Sequence, residues 1–152
     1  MSATIEEVLA RDGIIVYKTR GVSMEPMLRQ NRDLVTIRVP DCRLKRFDVA
    51  LYRRGDDHVL HRVIKVKEDY YIIRGDNTFS LETVPDDDVI GVLTGFIRKG
   101  KEHSVTERGY RFYARIWNGI YPIRSCWVRL RRLAGKAAHR LGIRRRKRKT
   151  AE

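Results

Sequence analysis

The chain has 152 residues, 42% apolar and 34% charged, with a formal net charge of +14. That length favours one domain plus an appendage, and it can bury a core without disulfide staples. No run of 18 apolar residues occurs, so no bilayer-spanning helix is expected. The first ten residues carry Glu6 and Glu7 and no apolar stretch, which argues against a secretory signal.

The charge is uneven: residues 1–100 carry about +1 and residues 101–152 about +13. A near-neutral globular part with a basic end fits a tether to an anionic surface. Cys42 and Cys126 lie far apart and form no metal-binding pattern. Two free thiols in a reducing compartment are the expectation.

In chain order, Thr4-Ile5-Glu6-Glu7 has the form of a capping box opening a short helix, ended by Asp12-Gly13. The β-branched run Ile14 to Tyr17 predicts a strand. Pro26, just after Ser23, suits a turn or the first turn of a helix. Leu34 to Val39 alternates apolar and polar residues and predicts a second strand, and Phe47 to Tyr52 a third. Gly55-Asp56-Asp57 is a hairpin turn, with His58 to Lys67 as the return strand. Tyr70 to Ile73 continues the sheet, Gly75-Asp76-Asn77 turns, and Val84 to Asp88 is expected as a loop broken by Pro85. Val89 to Ile97 is the last clear strand, closed by Lys99-Gly100. About seven short strands with tight turns predict a mainly β, antiparallel fold.

From about Gly109 the composition changes. Tyr110 to Gly142 is rich in Arg, aromatics and Leu, and Pro122 should divide it into two helical pieces. Val128, Leu130, Leu133, Ala137 and Leu141 recur at helical spacing among cations, as in a basic amphipathic helix. Arg144 to Lys149 is six consecutive cations and is expected to be disordered. The expected organisation is therefore a domain over 1–108, a basic helical segment over 109–143 and a tail over 144–152.

Three features could carry chemistry. Ser23 follows Gly21 by two residues and precedes Pro26 by three. A nucleophilic serine needs a tight exposed turn, nearby N–H groups and a base. A helix starting after Ser23 would aim N–H groups at a developing oxyanion; equally, a serine there can simply cap a helix. His61 lies mid-strand, on one face with Val59 and Val63, while Arg62 takes the other face. Its ordinary pKa of about 6.5 suits a general base, although a strand histidine can also be purely structural. Gly75-Asp76-Asn77 is a turn whose Asp76, or the nearby Glu82, could orient His61. No pair of histidines has metal-ligand spacing, so neither metal nor cofactor is expected.

Taken together and in order, Ser23-Met24-Glu25-Pro26-Met27-Leu28, Phe47 to Tyr52, His61-Arg62-Val63-Ile64 and Tyr71 to Asn77 resemble the signal peptidase superfamily, which also includes LexA-type self-cleaving repressors. The resemblance covers about residues 12–98. It implies a serine endopeptidase on an antiparallel β fold, with Ser23 as nucleophile. His61 stands where many members have a lysine base, so the chain is similar to the Ser-His branch of archaea and the endoplasmic reticulum. Asp76 or Glu82 would complete the relay. Gly21, Met24 and Pro26 would line the substrate site, and Gly21 offers no side-chain oxyanion donor. The usual N-terminal membrane anchor has no counterpart in the 22 residues before Ser23. A catalytically idle peptide-binding module on the same fold is the alternative.

The expected substrate is an extended segment of a peptide or protein precursor. Tyr110, Phe112, Tyr113, Trp117, Tyr121 and Trp127, set among arginines, suit an anionic membrane interface over residues 109–149. Nucleic acid is the less favoured partner for the same cations, and packing of this segment on the β domain is a third possibility. A cytoplasmic or peripherally membrane-associated location is expected.

Overall fold

The computed structural model describes residues 4–128 and 130. The chain divides into two units, 1–118 and 119–152. The first unit is mainly antiparallel β, as the alternating pattern predicts.

It opens with α1 (Ile5–Asp12). Both capping-box bonds form: Thr4 Oγ1 accepts from the Glu7 N–H at 3.2 Å and Glu7 Oε2 from the Thr4 N–H at 2.8 Å. Gly13, in the left-handed region at φ 71°, ends the helix with its N–H on the Leu9 carbonyl. The strands are β1 (Ile14–Lys18), β2 (Leu34–Arg38), β3 (Val49–Arg54), β4 (Asp57–Val66), β5 (Tyr70–Arg74), β6 (Glu82–Pro85), β7 (Val89–Arg98) and β8 (Lys101–Ser104). They form one curled sheet in the order β1-β2-β7-β3-β4-β5-β6, every pairing antiparallel. Strand β8 folds back on the far half of β7, so β7 has β2 on one side and β3 followed by β8 on the other. Helix α2 (Arg108–Gly119) follows.

Strand alternation explains why β3 is an unbroken apolar run. Val49 and Leu51 point into one core with Leu9, Met27, Leu28, Val35, Ile37, Leu93 and Phe96. Ala50 and Tyr52 point into a second core with Leu44, Val63, Tyr71, Ile73 and Val84. Both faces of the sheet are covered at β3, so an apolar residue suits each of these positions. On β4, Arg62 lies opposite Val49 and His61 opposite Ala50. Paired residues share a face, so His61 belongs to the second core's side and Arg62 to the first's. A bulge between Val63 and Lys65 follows directly, where β4 pairs with β5.

Two local expectations are corrected. Glu82–Pro85 is a strand rather than part of a loop, and a 3₁₀ turn occupies Asp86–Asp88. Pro85 is tolerated because β6 is the edge of the sheet. The Lys99-Gly100 turn, with φ 52° and 76°, returns the chain into β8, whose Lys-Glu-His-Ser sequence has no apolar alternation to announce it. Of the turn and the helix start left open after Ser23, the turn is found: residues 23–27 are a run of turns with a cis Glu25–Pro26 bond.

Within the second unit residues 121–128 are helical, and the helical pieces separate at residue 120, two before Pro122. The expected amphipathic pattern beyond 130 and the six-cation run lie outside the described residues. No helix among those described is long and apolar enough to cross a membrane.

Gly91 marks where α1 packs on the sheet. A Cβ there would collide with Ile37 Cγ2 and touch Leu9 Cδ1 at 3.5 Å. Overpacking of this kind costs about 1–3 kcal/mol. Gly91→Ala should therefore lower the urea midpoint by that much free energy, with an unchanged m-value.

Candidate active site

Ser23 sits in the connection between β1 and β2, and that connection is firmly pinned. Asp33 is fully buried and accepts from the Arg29 N–H at 2.8 Å and from both arms of Arg32 at 2.6 and 2.7 Å. The Thr19 carbonyl takes the Asn31 N–H, and the Thr19 hydroxyl donates to the Arg29 carbonyl. Met24, Met27 and Leu28 drop into the first core. These apolar anchors hold the half-buried Ser23 on the turn between exposed Gly21, in the left-handed region at φ 79°, and buried Met24.

The Gly75-Asp76-Asn77 turn clasps this segment from the other side. The Asn77 N–H donates to the Ser23 carbonyl at 2.7 Å, and Asn77 Nδ2 donates to the Val22 carbonyl at 3.2 Å. Gly75 is where the segments meet. A Cβ there would stand 2.7 Å from the Ser23 carbonyl oxygen and 3.0 Å from His61 Nε2. The backbone can approach both groups only because residue 75 has no side chain. The serine turn, the strand histidine and the Gly-Asp-Asn turn thus meet at one point.

The two acids left open by the sequence are sorted onto different partners. Asp76 makes a two-pronged pair with Arg62, Oδ1 to Nε and Oδ2 to an Nη, both at 2.7 Å. The Tyr113 hydroxyl also donates to Asp76 Oδ2 at 3.1 Å. Glu82 faces His61 instead: its Oε1 lies 3.4 Å from His61 Nδ1, and its Oε2 accepts from the Tyr52 hydroxyl at 2.7 Å. Tyr52 Oη is in turn 3.1 Å from His61 Nδ1. Arg54 reaches Glu82 Oε1 at 3.3 Å.

Electrostatics follow from burial. His61 is 3% exposed. Desolvation pushes its pKa below 6.5, with Arg54 acting in the same sense and Glu82 and Asp76 opposing. A neutral imidazole is favoured. Burial also works against the Arg62 charge, but Asp76 more than offsets it and the guanidinium is raised.

Residues that the sequence did not single out complete the site. The Arg62 guanidinium donates to the Phe47 carbonyl and the Tyr110 hydroxyl at 3.0 Å each, and to Met27 Sδ at 3.1 Å. Phe47 is held at φ 78°, and its N–H is on the Val63 carbonyl. Trp117 Nε1 donates to the Asp76 carbonyl at 2.9 Å. Tyr110, Tyr113 and Trp117, expected at a membrane interface, are therefore engaged with the Arg62–Asp76 pair, and residues 108–118 of α2 fall in the first unit rather than beyond residue 108. The signal for Tyr52 lay in hairpin register: the Gly55 turn pairs it with Val59, next but one to His61. The signal for Arg62 was a cation in the middle of an apolar strand.

Of the expected substrate contacts, Gly21 is exposed and Pro26 half-buried, but the Met24 side chain is packed in the core. The Ser23 hydroxyl makes no hydrogen bond among the described residues, and its N–H donates to none of their groups. Catalytic bonds are often long without substrate and tighten on binding. Among the described residues no cluster of three His, Cys, Asp or Glu could hold a metal, and both cysteines are free and exposed. Comparison with protein-family models and with curated proteins finds no match.

Asp76 and Glu82 should differ sharply when truncated. Asp76→Ala leaves a fully buried guanidinium unpaired, a loss of about 3–5 kcal/mol. Glu82→Ala removes a partly exposed acid and should cost under about 1 kcal/mol by the scale of exposed ion pairs. Chemical denaturation of the two variants checks the order.

Proposed function

We propose that the protein is a serine endopeptidase of signal-peptidase type, with Ser23 as nucleophile, His61 as general base and Glu82 as the acid that stabilises it. The observation that carries this reading is the meeting of the Ser23 main chain and His61 Nε2 against Gly75. In the reaction, His61 Nε2 takes the Ser23 hydroxyl proton as Oγ attacks a peptide carbonyl. The proton then passes to the leaving amine, and water releases the acyl group by the reverse transfer. The Ser23 N–H, which has no acceptor among the described residues, would donate to the oxyanion. Asp76, locked to Arg62, has a supporting rather than a proton-relay role.

The substrate is an extended stretch of a peptide or protein precursor. Strand β1 is one edge of the sheet and leads into the serine turn, and Val16 and Val22 present exposed apolar side chains there. An extended peptide could add to that edge by main-chain hydrogen bonding, passing Gly21 and Pro26. The catalytically idle peptide-binding reading draws on one observation, the Ser23 hydroxyl not being engaged with His61. A fluorophosphonate probe separates the two. Labelling at Ser23 that is lost in Ser23→Ala and reduced at least ~10²-fold in His61→Ala supports the peptidase; unlabelled wild type supports the binding module.

The pH dependence has a definite sign. Only neutral His61 acts as base, and its pKa lies below 6.5. The labelling rate should fall as pH drops through that depressed value and be level above about 6.5. A midpoint above 6.5 contradicts the assignment of His61.

A peripheral hold on an anionic membrane is the reading for the basic end. In the second unit Ile123 and Trp127 are exposed four residues apart on one helix face, and Leu130 is exposed as well. In flotation assays the full chain should bind vesicles containing anionic lipid, less so as salt rises. Ile123→Ala with Trp127→Ala should weaken binding several-fold. Equal binding to DNA, with none to vesicles, would favour nucleic acid instead.

A further inference from the structure

We infer that Tyr52 is the positioning residue through which Glu82 acts on His61, its phenol oxygen fixing the imidazole proton on Nδ1 and leaving Nε2 free to face Ser23. The inference rests on the Ser23–His61 reading for its consequence, but its geometry stands alone.

The direct contact between His61 Nδ1 and Glu82 Oε1, at 3.4 Å, is too long for a good hydrogen bond. The two short links both run through Tyr52, 2.7 Å to Glu82 and 3.1 Å to Nδ1. A phenol has one proton, and an ionised carboxylate only accepts. With that proton given to Glu82, Tyr52 Oη can only accept from His61, so Nδ1 carries the hydrogen. The opposite ring nitrogen is then unprotonated, and it is the one that crowds the Cβ position of Gly75, as the Ser23 carbonyl also does. Tyr52 is 1% exposed. Burial, then Glu82, raise its pKa far above the ordinary value, so the phenol keeps its proton. The β3–β4 hairpin supplies the bridge: Tyr52 and His61 share a face of the sheet, their rings 6.0 Å apart. The charged or titratable groups acting on His61 are Glu82 from β6, Arg54 from β3 and Asp76 from the turn after β5, with Tyr52 between the first of these and the ring.

The test is nitrogen-15 NMR of histidine-labelled full-length chain, read beside fluorophosphonate labelling. In wild type above pH 7, His61 should show a protonated Nδ1 and a bare Nε2. Tyr52→Phe keeps the ring and removes only the oxygen. It should shift the proton toward Nε2 and slow labelling by about 10²-fold, the scale of a general-base contribution. A second pair of variants does not disturb Tyr52. Glu82→Gln keeps an acceptor for the phenol and should retain the wild-type tautomer. Glu82→Leu removes that acceptor, so the phenol turns to donate to Nδ1 and the proton moves to Nε2. A wild-type tautomer in both Tyr52→Phe and Glu82→Leu would overturn the inference. Absence of Ser23 labelling in wild type would instead sink the peptidase reading, and the tautomer measurement would still decide the role of Tyr52.

Discussion

Arg62 and Asp76 are both completely shielded from solvent and joined by two parallel hydrogen bonds. Burying two opposite charges is costly, and the cost is offset only when the remaining donors and acceptors are filled. Here they are filled by groups from three separate segments: the Phe47 carbonyl before β3, Met27 from the serine connection, and Tyr110 and Tyr113 from α2. No buried side-chain polar atom among the described residues lacks a partner. Such a pair contributes little net stability compared with an apolar substitute, but it is intolerant of misplacement. It ties β4, the turn after β5, the serine connection and α2 into one arrangement. Since the same turn donates to the Ser23 carbonyl, the position of Ser23 depends on this ion pair too.

The period-two geometry of a strand turns one dipeptide into two separate devices. His61 and Arg62 are neighbours, yet they face opposite sides of the sheet. Each side brings its own acid: Asp76 reaches Arg62, and Glu82, at the start of the edge strand, reaches His61. Had both acids converged on one side, their mutual repulsion would have raised one pKa and left the guanidinium underpaired. The split keeps the Arg62–Asp76 pair on the other face of the sheet from His61, the group that on the proposed reading gains and loses a proton. Desolvation then favours neutral His61 at rest, while Glu82 remains near enough to stabilise the imidazolium.

Much of this was legible in the sequence, and the exceptions share a cause. Alternation and turn residues located β1 to β5 and β7, the capping box located α1, and the same alternation placed His61 and Arg62 on opposite faces. Strand β8 was illegible because all four of its residues are polar, its place being set by the Lys99-Gly100 turn and by the open half of β7. Strand β6 was obscured by Pro85, which an edge strand accepts. Residues 110, 113, 114 and 117 have the spacing of an apolar helix face, and composition alone reads their aromatics as interfacial. Their polar tips instead satisfy a buried ion pair, a partnership set by tertiary contact. The choice between Asp76 and Glu82 was likewise invisible, because both lie within reach in sequence and only strand pairing decides which faces the histidine.

The serine connection explains how a resting site could be assembled without its central hydrogen bond. The Ser23 carbonyl is fixed by Asn77 and pressed against Gly75, and the residues just beyond it are anchored in the core. Its main chain therefore has little freedom, and what remains is rotation of one short side chain between staggered wells. On the proposed reading, a substrate aligned along the edge of β1 would complete the Ser23–His61 contact, with Tyr52 and Glu82 standing on the far side of the imidazole. On that reading the fold fixes the Ser23 backbone while its hydroxyl stays unengaged, so much of the preorganisation that general-base catalysis requires is supplied by the main chain.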